Sequence, residues 1–452
     1  MGENIPTLFL VDGEHHPATT LDALRELEDR EGFEPLALYF IGGTEKMKDL
    51  TELASGGLEV IYPDDPLQDL AGVLRRLGPR LVADLSDLPV LGPALRMRLA
   101  AVALAHGAAY RGGDFEFHPP RREKVLSKPS CAVIGTGKRC GKTAVSAEMA
   151  RYLDGSGRTP VVVAMGRGGP PRPYLVEEKG IGEEFLLSEL AKGLHAASDH
   201  YEDALVSGVL TVGSRRCGGG MAGEPFVTNC VEAAVLADSL PARVVITEGS
   251  GSSIPPVATD AVVCVISAAQ DLEEALGFLG SYRLLISDGV IITMAEEPFA
   301  SPLKIQELSE RIKRINGDIV VLKTIFRPHP LQPIRDRRAF LVSTAPEEAG
   351  TLLQDYLEDE EGCTVVGRSH SLSDRERLEE ELQGAAGADI VLTELKAAAV
   401  DVVTRFARAN GKEVAFFHNQ PVPLPGETVL EKFFECIWDK VVERSCRAMK
   451  ES

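Results

Sequence analysis

What the sequence lacks narrows its function before any motif is read. No apolar run approaches the roughly 20 residues a helix needs to cross a bilayer, so no membrane span is expected. The N-terminus has no basic segment followed by an apolar one, so a signal peptide is not expected and the cytoplasm is the expected compartment. Positive charge is in deficit: 48 Lys and Arg stand against 68 Asp and Glu, a formal net charge of −20. A generic nucleic-acid partner needs a basic face for its phosphate backbone and is not expected. The eight cysteines, at 131, 140, 217, 230, 264, 363, 436 and 446, make no CxxC pair and no Cys/His cluster with zinc spacing. They read as free thiols in a reducing compartment, and thiol chemistry at Cys140 or Cys217 is not expected. The chain also lacks a repeat of fixed period, a low-complexity tract, a Ser-His-Asp arrangement and an identifiable glycosidase-like pair of carboxylates.

What is present is an alternation of apolar strands and helical patterns over 452 residues, enough for two to four domains at roughly 100–200 residues each. "TLFLVDGE" (7–14) reads as a buried strand ending at Asp12, and 19–32 as a helix with Thr20 as N-cap and Gly32 as its stop. Strands follow at 35–46, 58–66 and 80–89. The proline- and charge-rich stretch 115–130 marks a boundary. Beyond it, strands are expected in 131–138, 160–173 (opening into a Gly/Pro-rich loop), 242–253, 261–267, 289–296 and 318–328, then in 338–345, 363–368, 388–395 and 413–418. Strands separated by helices predict an α/β fold with a mostly parallel sheet covered on both faces, preceded by a smaller α/β domain. The expected division is 1–125 and 126–452, with a C-terminal sub-lobe from about 338.

The stretch "GTGKRCGKT", residues 135–143, carries the chemistry. A strand leads into it and a helix leaves it, the setting in which backbone N–H groups and a helix N-terminus hold phosphate oxygens. Gly135, Thr136, Gly137, Lys138, Arg139, Cys140, Gly141, Lys142 and Thr143 are the expected nucleotide-binding residues. Lys142 is expected on the β- and γ-phosphates and the Thr143 hydroxyl on Mg²⁺. Thr136 stands where the usual spacing has glycine. A second magnesium ligand is expected at Glu248, which ends the apolar run of "VVITEGSGSS"; a strand-end carboxylate can also be plain surface charge.

Three glycine- or proline-rich stretches concentrate positive charge: Arg167 and Arg172, Arg215 and Arg216, and Arg327 with His329. Placed on loops, these arginines suit bidentate recognition of phosphate or carboxylate, and Lys138 and Arg139 add to them. His329, between two prolines, reads as structural, and Asp12, Glu14, His15 and His16 as a solvated turn. The residues thus describe a Mg-nucleotide enzyme that transfers or activates a phosphoryl group on a small polyanion, with Lys142, Lys138, Arg139 and Glu248 at the chemistry.

The loop resembles that of dethiobiotin synthetase and its relatives, where Gly-Thr-Asp-x-x-x-Gly-Lys-Thr runs in the same register and glycine sits one residue earlier, here at Gly135; Gly137 replaces the aspartate. "GTGKRCGKT", "VVVAMGRGGPPRP", "TVGSRRCGGGMAG", "ITEGSGSSIPPV" and "TIFRPHPL", in that order, resemble the cyclic 2,3-diphosphoglycerate synthetase family. The tail "ADIVLTELKAAAVD" (388–401) is similar, more weakly, to the lipid A 4′-kinase, with Lys396 displaced by a leucine, and no role is carried to Lys396. The resemblance implies that ATP and 2,3-diphosphoglycerate give the cyclic phosphoanhydride, ADP and phosphate, with Arg167, Arg172, Arg215, Arg216 and Arg327 on the substrate. A simple kinase of a phosphorylated acid shares the nucleotide features. A nucleotide-gated metallochaperone or assembly ATPase would want a Cys/His tract that is not seen. No base-reading motif separates ATP from GTP, and a homodimer is the expected state.

Overall fold

The apolar runs become strands, and a computed structural model, which describes residues 4–45, 53–54, 56–177, 181–196 and 198–451, gathers them into two sheets. The chain divides into two compact units, residues 1–120 with 271–286, and residues 121–270 with 287–452.

The first unit holds β1 (Ile5–Val11), β2 (Phe33–Phe40), β3 (Val60–Ile61), β4 (Leu81–Asp84), β5 (Ala109–Arg111) and β6 (Glu116–Phe117) in the order β3-β2-β1-β4-β5-β6. Every pair is parallel except β5/β6. Phe9, Val11, Leu24, Leu38 and Leu81 are among the core residues over one face. The helix after β1 runs Pro17–Glu31 and stops at Gly32, whose φ of 72° is the left-handed conformation glycine adopts without a Cβ penalty. Its start differs from expectation. Proline presets φ for the first helical turn, so the helix begins at Pro17 and Thr20 is buried inside it. The turn at 12–16 also differs: Asp12 is buried, and its carboxylate accepts from Glu14 N (3.1 Å), His15 Nδ1 (2.8 Å) and Asp87 N (2.6 Å).

The second unit carries β7 (Ser130–Gly135), β8 (Pro160–Gly166), β9 (Tyr174–Val176), β10 (Leu210–Cys217), β11 (Val227–Thr228), β12 (Val244–Glu248), β13 (Ala261–Ser267), β14 (Gly289–Thr293), β15 (Val320–Pro330), β16 (Arg338–Val342), β17 (Thr364–Ser369), β18 (Ile390–Glu394) and β19 (Glu413–Pro423). The order is β11-β10-β8-β12-β7-β13-β14-β15-β19-β18-β16-β17, with β9 beside β10. From β10 to β15 all neighbours are parallel, and so are those from β19 to β17. Strands β7, β8, β12, β13 and β14 are buried at every residue, as expected of a parallel sheet covered on both faces.

One seam turns two parallel blocks toward each other. The first part of β15 pairs with β14, and its second part runs antiparallel to β19, whose own first part pairs with β18. Strand ends of both blocks meet at this ribbon. Two expectations change here. Arg327 lies within the strand expected at 318–328 rather than on a loop, and partnering by β19 continues β15 past it through His329 to Pro330. Arg215 and Arg216 lie on β10, where Arg215 pairs with Gly166 of β8 and Arg216 with Thr228 of β11. Among the described residues no helix is long and apolar enough to cross a membrane.

Candidate active site

The phosphate-binding loop leaves β7, which lies between β12 and β13, and ends at the helix Lys142–Gly155. Gly141 has φ 92°, and a Cβ there would lie 2.2 Å from the Phe326 ring, so only glycine fits. A Cβ on Gly135 would lie 2.6 Å from Cys140 Sγ and 2.9 Å from Lys142 Cδ, which lets the loop close over the lysine stem. Thr136 uses its side chain: the buried hydroxyl donates to Gln270 Oε1 at 2.6 Å and ties the loop to the segment after β13. Lys142 Nζ curls onto Gly137 O at 2.9 Å, and Cys140 Sγ lies 3.3 Å from the same oxygen. The Thr143 hydroxyl donates to Glu248 Oε1 at 2.7 Å. Lys138 and Arg139 are exposed on the outer loop, and Arg139 Nη2 donates to Ser373 Oγ at 2.9 Å, in the other block.

Behind the loop lies a concentration of carboxylates. The helix Asp199–Ser207 presents Asp199, Glu202 and Asp203 at positions i, i+3 and i+4, one face of a helix. Asp203 and Glu248 are buried, and neither Asp203 oxygen nor Glu248 Oε2 has a hydrogen-bond partner. Burial and then the Glu248 charge push Asp203 well above the usual carboxylate range. Burial raises Glu248 too, opposed by Asp203, the Thr143 hydroxyl and Lys142. Burial lifts Glu202 to about 7 against the pull of Lys396, whose Nζ is 3.3 Å from its Oε1. Burial also raises Asp199, opposed in turn by Lys142, Lys396, Arg167 and His195.

The second block closes the site. Thr344 follows β16, His370 and Ser371 follow β17, and Glu394 ends β18. Glu394 is buried and accepts from Thr344 Oγ1 (2.7 Å) and Asn419 Nδ2 (3.0 Å). His418 on β19 is buried, and burial followed by the charge of Arg151 holds its imidazole down to about 3. Both blocks line one cavity of about 870 Å³. Its size lies in the range of small-molecule and cofactor sites.

The expected residues divide within this frame. Lys138, Arg139, Gly141, Lys142, Thr143, Arg167 and Glu248 line the cavity. Gly135, Thr136, Gly137 and Cys140 shape the loop beneath it. Arg216 Nη2 donates to Ser250 O at 2.9 Å, and its guanidinium and that of Arg167 both lie over Gly251, a cavity residue. Arg172 and Arg215 are exposed and do not line this cavity. Arg327 is also outside it: its guanidinium grips the Glu296 carboxylate at 2.5 and 2.9 Å. His329 lies 3.4 Å from Glu361 and edge-on to His418. Asp199, Glu202, Asp203, His370, Glu394 and Lys396 join the site without having been singled out for it. The helical spacing of acids in "DHYEDALVSG" was the available signal for the first three.

Phosphate recognition by loop backbone, lysine and helix terminus is the working part of P-loop nucleotide-binding enzymes, and the fold and site place the chain in that class. The comparisons with known proteins are narrower. The family models for cyclic 2,3-diphosphoglycerate synthetase match in all three parts, the N-terminal domain over residues 6–118, the P-loop domain over 130–325 and the C-terminal domain over 330–420. The chain belongs to the cyclic 2,3-diphosphoglycerate synthetase family. Proteins of that name are 49% identical in Rubrobacter xylanophilus, covering 92% of this chain and 94% of the relative, and 45% identical in Methanothermobacter thermautotrophicus, covering 93% and 92%. A third, from Methanothermus fervidus, is 43% identical over 98% of this chain and 97% of its own. Among solved structures, LpxK from Aquifex aeolicus in complex with ATP is similar at TM-score 0.41 and 16% identity, over 72% of this chain and 91% of that one. The chain is thus an enzyme of the synthetase kind with a P-loop nucleotide-binding domain, and neither a simple kinase nor an assembly ATPase is favoured.

Proposed function

We propose that the chain joins the two phosphates of 2,3-diphosphoglycerate into an intramolecular phosphoanhydride while ATP becomes ADP and phosphate. The observation that carries this is a cavity lined both by the P-loop and by the strand ends of a second parallel block. A nucleotide and a second anionic substrate can meet there.

The chemistry needs positioning and charge neutralisation more than covalent help. An oxygen of one substrate phosphate attacks the γ-phosphorus; the bond to the β-phosphate oxygen breaks and ADP leaves. The activated phosphorus is then attacked by an oxygen of the neighbouring substrate phosphate, the ring closes, and inorganic phosphate departs. Both nucleophiles belong to the substrate, so no side chain has to be one. Lys142, resting on Gly137 O, has a charge to give to the migrating group. Lys138 and Arg139 lie exposed over the loop, and Arg167 faces the cavity with no hydrogen-bond or ion-pair partner among the described residues. Asp199 and Glu202 line the cavity behind the loop, where burial shifts both toward the neutral form.

Magnesium fits the residues present. The Thr143 hydroxyl and Glu248, with one buried oxygen unpartnered, are hard oxygen donors in contact with each other. Among the described residues no group of three or more His, Cys, Asp or Glu could hold a metal alone. When bound, it would supply neutralising charge at the β- and γ-phosphates. A cytoplasmic homodimer is the expected form, checked by light scattering of the purified chain.

A ³¹P spectrum of enzyme, ATP, Mg²⁺ and 2,3-diphosphoglycerate tests the reaction. Cyclic product, ADP and phosphate should grow in equal amounts. ADP with a triply phosphorylated product and no free phosphate would make the enzyme a kinase.

A further inference from the structure

We propose that Lys396, delivered from the end of β18, binds a phosphate of the second substrate and holds it across the cavity from the P-loop lysine, with Glu202 as its partner between turnovers. The inference rests on the proposed function for the identity of that substrate.

Four observations carry it. Lys396 lies two residues past β18, at the strand ends of the second block, and lines the cavity. The next residue, Ala397, has φ 45°, a left-handed conformation uncommon outside glycine and concentrated at functional sites. The Lys396 ammonium faces Glu202 Oε1 at 3.3 Å, longer than a tight charge-assisted bond, and no second partner for its three donors is found among the described residues. Asp199 lines the same cavity as Lys142 and Lys396, and the charges of the two lysines, one from each block, both act on it.

Charge decides the role. The wall beside Lys396 carries Glu202 and Glu394, which would repel a substrate bearing two phosphates and a carboxylate. A cation placed between that wall and the open cavity lets the anion approach. Lysine suits this better than arginine, because a flexible point charge can swing from carboxylate to phosphate while a planar fork would stay paired. Neighbouring carboxylates hold the ammonium charged throughout; Glu202 and Glu394 outweigh its desolvation.

The test uses the full-length enzyme with Lys396→Met and Lys396→Arg. Lys396→Met should raise KM for 2,3-diphosphoglycerate about 30-fold or more, the cost of losing one charge-assisted contact, and leave KM for ATP within about threefold. Lys396→Arg should recover part of the loss. Thermal unfolding gives a second readout independent of turnover. The wild type should be stabilised by 2,3-diphosphoglycerate alone and by a non-hydrolysable ATP analogue alone, and Lys396→Met should lose only the first. Equal stabilisation of Lys396→Met and wild type by 2,3-diphosphoglycerate, or a KM within about twofold, overturns the assignment. Loss of the nucleotide response instead would move Lys396 to the ATP side and overturn it equally. Were the wild type to make no cyclic product, the proposed function would fall, while the binding readout would still judge Lys396.

Discussion

The Thr143 hydroxyl donates to Glu248 Oε1 at 2.7 Å, joining the first turn of the P-loop helix to the end of a strand 105 residues later in the chain. The other Glu248 oxygen is buried without a partner. A carboxylate half satisfied in a buried setting is costly unless a proton or a cation completes it. Burial and the Glu248 charge raise Asp203 beside it, and the proposed magnesium would supply the missing positive charge.

Glu248→Gln keeps the shape and removes the charge. Nucleotide binding should survive, and the Mg²⁺ concentration for half-maximal rate should rise about tenfold or more, since loss of one hard ligand weakens a site that has few protein ligands. A magnesium titration of the initial rate checks this. An unchanged titration at an unchanged rate would place Glu248 outside the metal's ligands.

Lys142→Met should reduce kcat on the order of 10²–10³-fold or more, the usual cost of removing one preorganised group from a transition state. Among the described residues its amine hydrogen-bonds to loop atoms, Gly137 O and Cys140 Sγ, so the fold should persist. Circular dichroism and single-turnover ADP release test the two halves of this expectation; wild-type release would remove the loop from the chemistry.

Arg167 and Arg327, equivalent in the sequence, should behave differently. Arg167→Ala should raise KM for 2,3-diphosphoglycerate by about 30-fold or more with little change in the unfolding temperature. Arg327→Ala should leave that KM within about twofold and destabilise the fold by about 1.5–3 kcal/mol, because it strands the mostly buried Glu296 carboxylate. Steady-state kinetics paired with calorimetry on both variants separates them, and a large KM effect at Arg327 would contradict the geometry.

Acid sensitivity should reside partly in His200, which is buried against Tyr201, with its Nε2 unpartnered and its imidazole held down to about 4 by burial. Between about 6.5 and about 4 the unfolded chain binds a proton there that the folded chain does not, so stability rises with pH across this window and is level above it. The slope from this one group is about 1.4 kcal/mol per pH unit. Urea midpoints at pH 7 and pH 5 should draw closer together in His200→Leu than in the wild type. Identical pH dependence would show that His200 does not carry the effect.

Much of the fold was legible because its parallel strands are buried on both faces and so appear as unbroken apolar runs; β7, β12, β13 and β14 all lie within stretches singled out that way. The stop at Gly32 was legible from glycine alone. Strand extension was not. The strand expected at 318–328 runs on to Pro330 because β19, nearly a hundred residues away, pairs with it, and no local signal records that partner. The strand placement of Arg215 depends on β8 and that of Arg216 on β11.

The loop half of the site was readable for a related reason. A phosphate cradle is built by consecutive backbone groups, so glycine, lysine and threonine must follow one another in the chain at close spacing, and residues 135–143 state that by themselves. Side-chain charges act through space and carry no such constraint. The sequence determined that a phosphate-binding loop lies between a buried strand and a helix. Only the tertiary structure decided which charges face it: it turned Arg327 onto Glu296, stacked Arg167 and Arg216 over Gly251, and brought Asp199 and Lys396 from opposite blocks into one cavity. Electrostatic interactions fall off with distance in space and desolvation follows burial, and neither quantity is defined until the chain has folded.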